Sequence, residues 1–425
     1  MWRRLADFLQ SPHFPQQANT VQPLPFMNDS SIDSRDGHAA EVPLNPAMRR
    51  RLVREWRHPR FGRANPERMN NPVWEWLARS QLEGKWLARS EDDTYWAKHL
   101  LGPSACNAAP RWIFQRNGQS STTLADGRVV LIGGEHEDSY DPDFYIYNDV
   151  VVLHPDDRLD IFGYPEEVFP PTDSHSATLA GEKIVIIGGL GYPERRKVRT
   201  TPVFVLDLNT FAISAVAASG SAPGWIHGHT ADLAEDGGSI LVRGGSTIGG
   251  SDGESHLRNC DDWRFDLTDW RWERLTECQW QQWEVRRSDG EPTHLVQIQS
   301  ALLFRHSPSH LIELQRRMKD EFGIPSLEEE LGAPPDLEVA ARLYRPEVEH
   351  VAMPDVADEF WVHRIKIAGV VVRYDQDMGG VQVTVEGELP QPAIDAVICD
   401  LRKKLCVLEN ALCESRKLQL TQSKP

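Results

Sequence analysis

The sequence predicts a multi-domain protein with a mainly β centre, three sheets of four short strands each, set between a helical N-terminal segment and a C-terminal α/β unit. Three observations predict it. A strand ending in a glycine pair recurs three times, at Gly133-Gly134, Gly188-Gly189 and Gly244-Gly245, with successive pairs 55 and 56 residues apart. The chain has 425 residues, more than one ordinary core accommodates. Its 40% hydrophobic and 26% charged residues suit globular domains with real cores rather than a disordered chain.

Residues 1–45 contain Pro, Asn, Gln, Ser and Asp without periodicity and read as an extended leader. The segment 46–110 is rich in Trp and Arg and reads as helical. Pro46 opens a helix over 49–56, and 73–100 is helix-compatible, with Trp74, Trp76, Trp86 and Trp96 and a repeated Trp-Leu-Ala-Arg-Ser at 76–80 and 86–90. A ten-residue offset keeps tryptophans on one helical face, so this stripe is expected to dock on the next domain.

The β-domain is expected over 111–305. Its strands are Arg128-Val-Val-Leu-Ile before the first glycine pair, Lys183-Ile-Val-Ile-Ile before the second and Ser239-Ile-Leu-Val-Arg before the third. About fourteen residues ahead of each pair lies a short polar strand: Gln119-Ser-Ser-Thr-Thr-Leu, His175-Ser-Ala-Thr-Leu and His229-Thr-Ala-Asp-Leu. About fifteen residues after each pair comes a further strand: Asp149-Val-Val-Val-Leu-His, Val203-Phe-Val-Leu-Asp and Asp262-Trp-Arg-Phe-Asp, the last two followed by Phe211 and Trp270. Further strands without a glycine pair are expected at Trp283-Glu-Val, Leu295-Val-Gln-Ile-Gln and Ala301-Leu-Leu-Phe.

Residues 306–425 read as a separate α/β domain. Helices are expected over 307–322 and 335–343, strands over 360–367 and 369–374, and a turn at Asp375-Gln-Asp-Met-Gly-Gly before a strand from Val381. A terminal amphipathic helix carries Ile394, Ile398, Leu401, Leu405, Leu408 and Leu412 in steps of four and three, a seam expected to dock on the apolar face of the preceding hairpin, and Cys399, Cys406 and Cys413 are expected on the same helix at sevenfold spacing.

The glycine pairs and their companion strands resemble the kelch repeat. That resemblance implies an incomplete kelch-type β-propeller of three four-stranded sheets, in which Gly-Gly ends the second strand and aromatics fill the wedge between sheets. His154 stands where the repeat has aspartate. Taken whole, the chain resembles uncharacterised bacterial kelch-containing proteins, a likeness that implies no activity.

A formal net charge of −17 repels nucleic acid and favours a partner with a basic surface. Six scattered cysteines without a Cys-x-x-Cys pair read as free thiols, and with no apolar run of membrane-spanning length the expected location is cytoplasmic.

The long segments after the glycine pairs, 135–147, 190–201 and 246–261, are expected on one face, which in repeat proteins is commonly the binding face. The partner-binding candidates are Glu135, His136, Glu137, Asp138, Asp141 and Asp143 in the first segment and Arg195, Arg196, Lys197 and Arg199 in the second, an acidic patch beside a basic one. The acidic cluster is also of a kind that holds calcium, but it lacks the spacing of an EF-hand. His227 and His229 are expected on one strand face, as two imidazole ligands would be, although no third ligand accompanies them and His175 and His229 share a repeat position that suggests hydrogen bonding within each repeat's own sheet. The arginine run from Arg49 to Arg68 reads as a solvated or internally paired face.

No His-Glu-x-x-His and no phosphate-cradling glycine loop is present. The expectation is therefore a non-catalytic protein-binding module, with no catalytic residue, cofactor or metal assigned and the oligomeric state open. Two alternatives stand beside it: a bacterial immunity or antitoxin protein neutralising a basic toxin, and a carbohydrate-active enzyme of the kelch fold.

Overall fold

The computed structural model of the protein describes residues 56–80, 110–136, 144–249, 255–303, 325–354, 361–377 and 379–418, together with 305, 316 and 319. They form two compact units, one within Thr20–Glu277 and the other within Cys278–Pro425.

The first unit opens with β1 (Glu67–Arg68) and α1 (Pro72–Ser80). Its first sheet contains β2 (Ser120–Thr123), β3 (Val129–Ile132), β6 (Val150–Leu153) and β7 (Leu159–Gly163), with the hairpin β4 (Glu135–His136) and β5 (Tyr145–Ile146) inserted after the glycine pair. A second sheet follows from β8 (Ser176–Ala180), β9 (Lys183–Ile187), β10 (Val203–Asp207) and β11 (Ile213–Ala215). Next come β12 (Ser219–Gly220), β13 (Trp225–His227), β14 (Thr230–Leu233), β15 (Ser239–Arg243), β16 (Ser246–Gly249), β17 (Ser255–Arg258), β18 (Trp263–Asp266) and β19 (Arg271–Arg274). The third sheet is β14, β15, β18 and β19, and β13, β16 and β17 form a smaller one. Each repeat is thus an antiparallel meander of four strands, with β1 added to the outer edge of the first and β12, in parallel, to that of the third.

Val and Ile dominate the middle strands because these are packed on both faces, where β-branched side chains fit the pleat. Alternation along a strand sends neighbours to opposite sides. Val130, Ile132, Val150 and Val152 meet Ile184, Ile186 and Leu206 of the second sheet, whereas Val185, Ile187, Val203 and Val205 meet Ile240, Val242, Trp263, Phe265 and Trp272 of the third. The outer face of the first sheet, Val129, Leu131, Val151 and Ile161, is covered by Trp74 and Leu77 of α1 and by Trp112. Trp74 and Trp112 stack at 5.3 Å between ring centroids, so the described part of the tryptophan stripe docks as expected. Trp86, Trp96 and residues 49–55 of the helix expected over 49–56 lie outside the described residues.

The outer face of the third sheet is different. Arg264 pairs with Glu273, and Arg243 with Asp232 and Asp262, all on exposed side chains. Solvent-facing ion pairs of this kind add about 1 kcal/mol or less each, but they make a wet, self-satisfied surface where the inner sheets have apolar seams.

The second unit holds β20 (Gln281–Arg287), α2 (Leu295–Leu303), α3 (Leu327–Leu331), α4 (Leu337–Ala340), β21 (Val351–Ala352), β22 (Val362–Ile367), β23 (Val370–Gln376), β24 (Val381–Glu386), α5 (Gln391–Glu409) and β25 (Cys413–Leu418). Its antiparallel sheet runs β21-β22-β23-β24-β20-β25. The Asp377 carboxylate accepts the N–H groups of Gly379 and Gly380 at 2.7 and 2.9 Å, which builds the turn expected between β23 and β24. Ile394, Ile398, Leu401, Leu405 and Leu408 of α5 share a core with Val285, Val372, Val383 and Val385 of the sheet, so the terminal helix docks internally.

Four expectations are corrected here. Trp283-Glu-Val is a strand, yet it pairs with β24 and β25 of the second unit rather than with a strand of the repeats. Leu295–Leu303 is helical: Leu295, Ile298 and Ala301 are buried at a three-residue spacing that only a helix brings to one face. The terminal helix stops at Glu409, where Asn410 adopts a left-handed conformation, leaving Leu412 82% exposed rather than in the seam. Cys413 consequently begins β25 instead of lying on that helix. Most of the helix expected over 307–322 lies outside the described residues.

The observed unit is mainly β, with several antiparallel sheets and few helices.

Candidate functional site

The glycine pairs set the geometry of the site. Gly133 has φ +57° and an added Cβ would lie 2.3 Å from the Thr172 carbonyl oxygen; Gly188 has φ +69° and would meet the Ile226 oxygen at 2.2 Å. Both glycines therefore serve two needs, a left-handed turn and the close approach of backbone from the following repeat. The second glycine of these two pairs fastens that approach: Gly134 donates to Thr172 O at 2.9 Å and Gly189 to Ile226 O at 2.8 Å. Gly244, at φ +61°, has nothing within 4 Å of its Cβ position.

Below the glycines runs a histidine seam. His175 Nε2 lies 2.8 Å from Ser120 Oγ and His229 Nε2 lies 2.9 Å from Ser176 Oγ, in each case joining a repeat to the one before it. Thr178 Oγ1 donates to Ala231 O at 3.1 Å in the same seam. The equivalent histidines thus do hydrogen-bond, but between sheets rather than within one. Burial pushes His175 down to about 3 and His229 to about 4, so both are neutral across the physiological range.

The strict turn at each glycine pair throws the next segment out on one side, and there the three long segments meet. Tyr192 of the second accepts a hydrogen bond at its Oη from the Ile146 N–H of β5, 2.9 Å away, and its ring lies edge-on to Phe144. Trp225 Nε1 of β13 donates to Leu190 O at 3.0 Å, and β13 pairs with β16 of the third segment. The result is a continuous loop face made of a hairpin, a short 3-10 turn at Pro193–Arg195 and a three-stranded sheet.

The residues singled out on sequence fall unequally on this face. Glu135 pairs with Asn117 through both backbone groups, and His136, expected at the surface, is buried at 7% exposure because β4 turns its side chain inward. Glu137, Asp138, Asp141 and Asp143 lie outside the described residues. Arg195 is half-exposed and bonds Glu166 at 2.7 Å, across repeats. Arg196 turns back to the carbonyls of Leu190 and Gly191 at 3.2 and 3.0 Å and holds its own loop. Lys197 and Arg199 are exposed.

His227 and His229 do not share a face. β13 ends at His227, Gly228 takes φ +61°, and β14 starts at Thr230, so the chain changes sheets between them. His227 Nε2 instead lies 3.0 Å from His256 Nδ1 of β17, with the two rings perpendicular. Burial pushes His227 down to about 3, with the neighbouring imidazole and the Arg196 charge adding to it, and His256 is lowered for similar reasons. Among the described residues no group of three or more His, Cys, Asp or Glu is placed to hold a metal ion.

Sequence reasoning missed the groups that hold the face together. Arg116, whose side chain is buried, is ion-paired to Asp149, lies 3.6 Å from the Tyr147 ring centroid and donates to Gly133 O at 3.0 Å, and Trp112 Nε1 donates to Asp149 at 2.6 Å. Burial raises Tyr147 well above its ordinary range, in keeping with its hydroxyl donating to Arg111 O. A Gly-Tyr-Pro at 191–193 was a visible turn signal with a large aromatic in it, but its partner on β5 was not.

Residues 116–299 match the family model described as the KLHDC2/KLHL20/DRC7 Kelch-repeats domain. The match runs past the third meander into β20 and α2, which belong to the other unit. No curated protein matches the chain.

Proposed function

We propose that this kelch-repeat protein is a non-catalytic binding module that takes a protein partner on the loop face of its β-unit. Kelch repeats commonly mediate protein–protein interaction. The observation that carries the reading is the convergence of the three post-glycine segments through Tyr192, Ile146, Leu190 and Trp225 on one side of the meanders. Loops held in register by a rigid scaffold are the usual place for recognition. Lys197 and Arg199 supply positive charge, and Glu137, Asp138, Asp141 and Asp143 supply negative charge from the segment after the preceding glycine pair. A partner with a basic surface would engage the acidic residues, and acidic groups on the same partner would engage the basic turn.

The β-unit itself reads as an incomplete propeller of three blades. Gly133 and Gly188 abut a following blade, whereas Gly244 faces open space, and the outer face of the third sheet is covered by ion pairs. A polar outer face is what a terminal repeat needs.

The test is affinity purification of the full chain from its native host, followed by binding measurements on the purified partner. Two charge-reversal variants are compared, Lys197→Glu with Arg199→Glu, and Glu137→Lys with Asp138→Lys and Asp141→Lys. Loss of affinity by about tenfold or more, equivalent to ~1.4 kcal/mol, with an unchanged melting temperature supports the loop face. Full affinity in both variants, or a markedly lower melting temperature, removes the assignment.

A further inference from the structure

β25 ends the sheet of the second unit: β20 lies on one side of it, and among the described residues no strand lies on the other. The register fixes which of its backbone groups look outward. Ser288 N–H donates to Leu412 O at 2.9 Å, and the same register continues with Arg286 opposite Glu414, Glu284 opposite Arg416 and Gln282 opposite Leu418. An antiparallel ladder alternates between residues bonded across the pair and residues whose backbone groups face away. Leu412, Glu414, Arg416 and Leu418 therefore turn their N–H and C=O toward β20, and Cys413, Ser415 and Lys417 turn theirs to the open edge. Such an edge is a template for a further strand.

We propose that β25 pairs with β25 of a second copy of this chain, antiparallel about a two-fold axis at Ser415, so that the two sheets join into one. A hydrogen-bonded edge sets outward residues opposite outward residues. With the axis at Ser415, that residue faces its own copy and Cys413 faces Lys417, so all three outward residues find a partner. The residues between them are matched as well: Glu414 falls opposite Arg416 and Leu412 opposite Leu418, on both sides of the axis.

Charge selects both the occupant and the register. Opposite charges directly across strands stabilise a pair and like charges weaken it. Moving the axis by one residue sets Glu414 or Arg416 opposite itself, and moving it by two sets Leu412 against Glu414 or Arg416 against Leu418. Within one chain Arg286 holds Glu414 at 2.9 Å and Glu284 lies 2.5 Å from Arg416. The joined edge thus carries an unbroken alternation of sign from sheet to sheet, Glu284, Arg416, Glu414, Arg286. It also covers Leu412, which is 82% exposed at the head of the strand, with Leu418 of the second copy. A closed two-fold contact of this kind uses up the edge on each chain and stops at a dimer.

The test is sedimentation of the full chain over a range of concentrations, with hydrogen exchange across 413–418. The wild type is expected to show a monomer–dimer equilibrium, and exchange in that segment is expected to slow as dimer forms. Ser415→Pro removes an outward N–H without removing a bond to β20, and is expected to weaken the dimer by about tenfold or more. Glu414→Lys and Arg416→Glu each set like charges across the axis and are expected to be monomeric alone, while an equal mixture of the two restores opposite charges at every pair and forms a heterodimer. Circular dichroism establishes that each variant keeps its fold. A wild type that stays monomeric up to its solubility limit, a dimer whose 413–418 exchange is unchanged, a dimer that Ser415→Pro leaves intact, or a mixture of folded variants that stays monomeric overturns the proposal.

Discussion

The side-chain amide of Asn65 reads both backbone groups of Ile213, donating from Nδ2 to the carbonyl at 2.7 Å and accepting the Ile213 N–H on Oδ1 at 2.9 Å. β11 is the outer edge of the second sheet, and this one side chain satisfies part of that edge as a paired strand would. Two residues away β1 pairs with β7, so the same N-terminal segment closes the edges of two neighbouring sheets.

Asn65→Ala removes both bonds and leaves the Ile213 groups without them, so the β-unit is expected to lose about 1–3 kcal/mol. Asn65→Asp keeps the acceptor and loses the donor, and is expected to fall between wild type and alanine. Urea denaturation followed by tryptophan fluorescence checks the order, and equal stability of all three proteins contradicts the edge-closing role.

Gly188→Ala and Gly244→Ala make a matched pair. Both positions are left-handed, which costs a non-glycine residue about 1–2 kcal/mol. Only at Gly188 does the new methyl also collide with backbone, 2.2 Å from Ile226 O, and that overpacking adds about 1–3 kcal/mol. Chemical denaturation should therefore rank Gly188→Ala well below Gly244→Ala. Equal losses would mean that a further blade abuts Gly244 after all.

The histidine seam predicts acid sensitivity. The folded-state values of His175 and His229 lie near 3 and 4, below the ordinary 6.5, so the unfolded chain binds more protons throughout that interval. Stability is fully present above pH 6.5 and falls as pH drops from there toward about 3. Thermal melts between pH 7.5 and 4.5 should show the decline, and His175→Gln with His229→Gln should flatten it even if the starting melting temperature is lower. An unaltered pH slope in that double variant refutes the linkage.

In the second unit Glu409 is the buried hub. Its carboxylate accepts from the His294 N–H at 2.9 Å and bonds His294 Nδ1 at 2.7 Å, with Arg287 3.5 Å away. Glu409→Ala leaves the buried His294 N–H and Nδ1 without their acceptor while Arg287 keeps Asp289 at 2.6 Å, and a loss of about 1–3 kcal/mol is expected. Hydrogen exchange should localise the loosening to β20, α2 and α5. Unchanged protection there would show that the cluster contributes little.

The sequence by itself determined the repeats. Glycine pairs at near-constant spacing, polar and apolar strands in fixed order and the apolar seam of α5 are local patterns, imposed by backbone conformation and by the period of each element. Their sheets, the docking of Trp74 and the turn at Asp377 follow from that local chemistry. Which sheet a strand joins is not local. Trp283-Glu-Val was legible as a strand, but its partners lie some 100 to 135 residues downstream in β24 and β25, and Leu295–Leu303 carries a short apolar run whose period is ambiguous until its buried face is known. The candidate face divides the same way. Its position after the glycine pairs was readable, whereas the inward turn of His136, the separation of His227 from His229 by the left-handed Gly228, and the Tyr192–Ile146 and Trp225–Leu190 bonds depend on which repeat packs beside which. Those are contacts between residues distant in the chain, and only the packed sheets decide them.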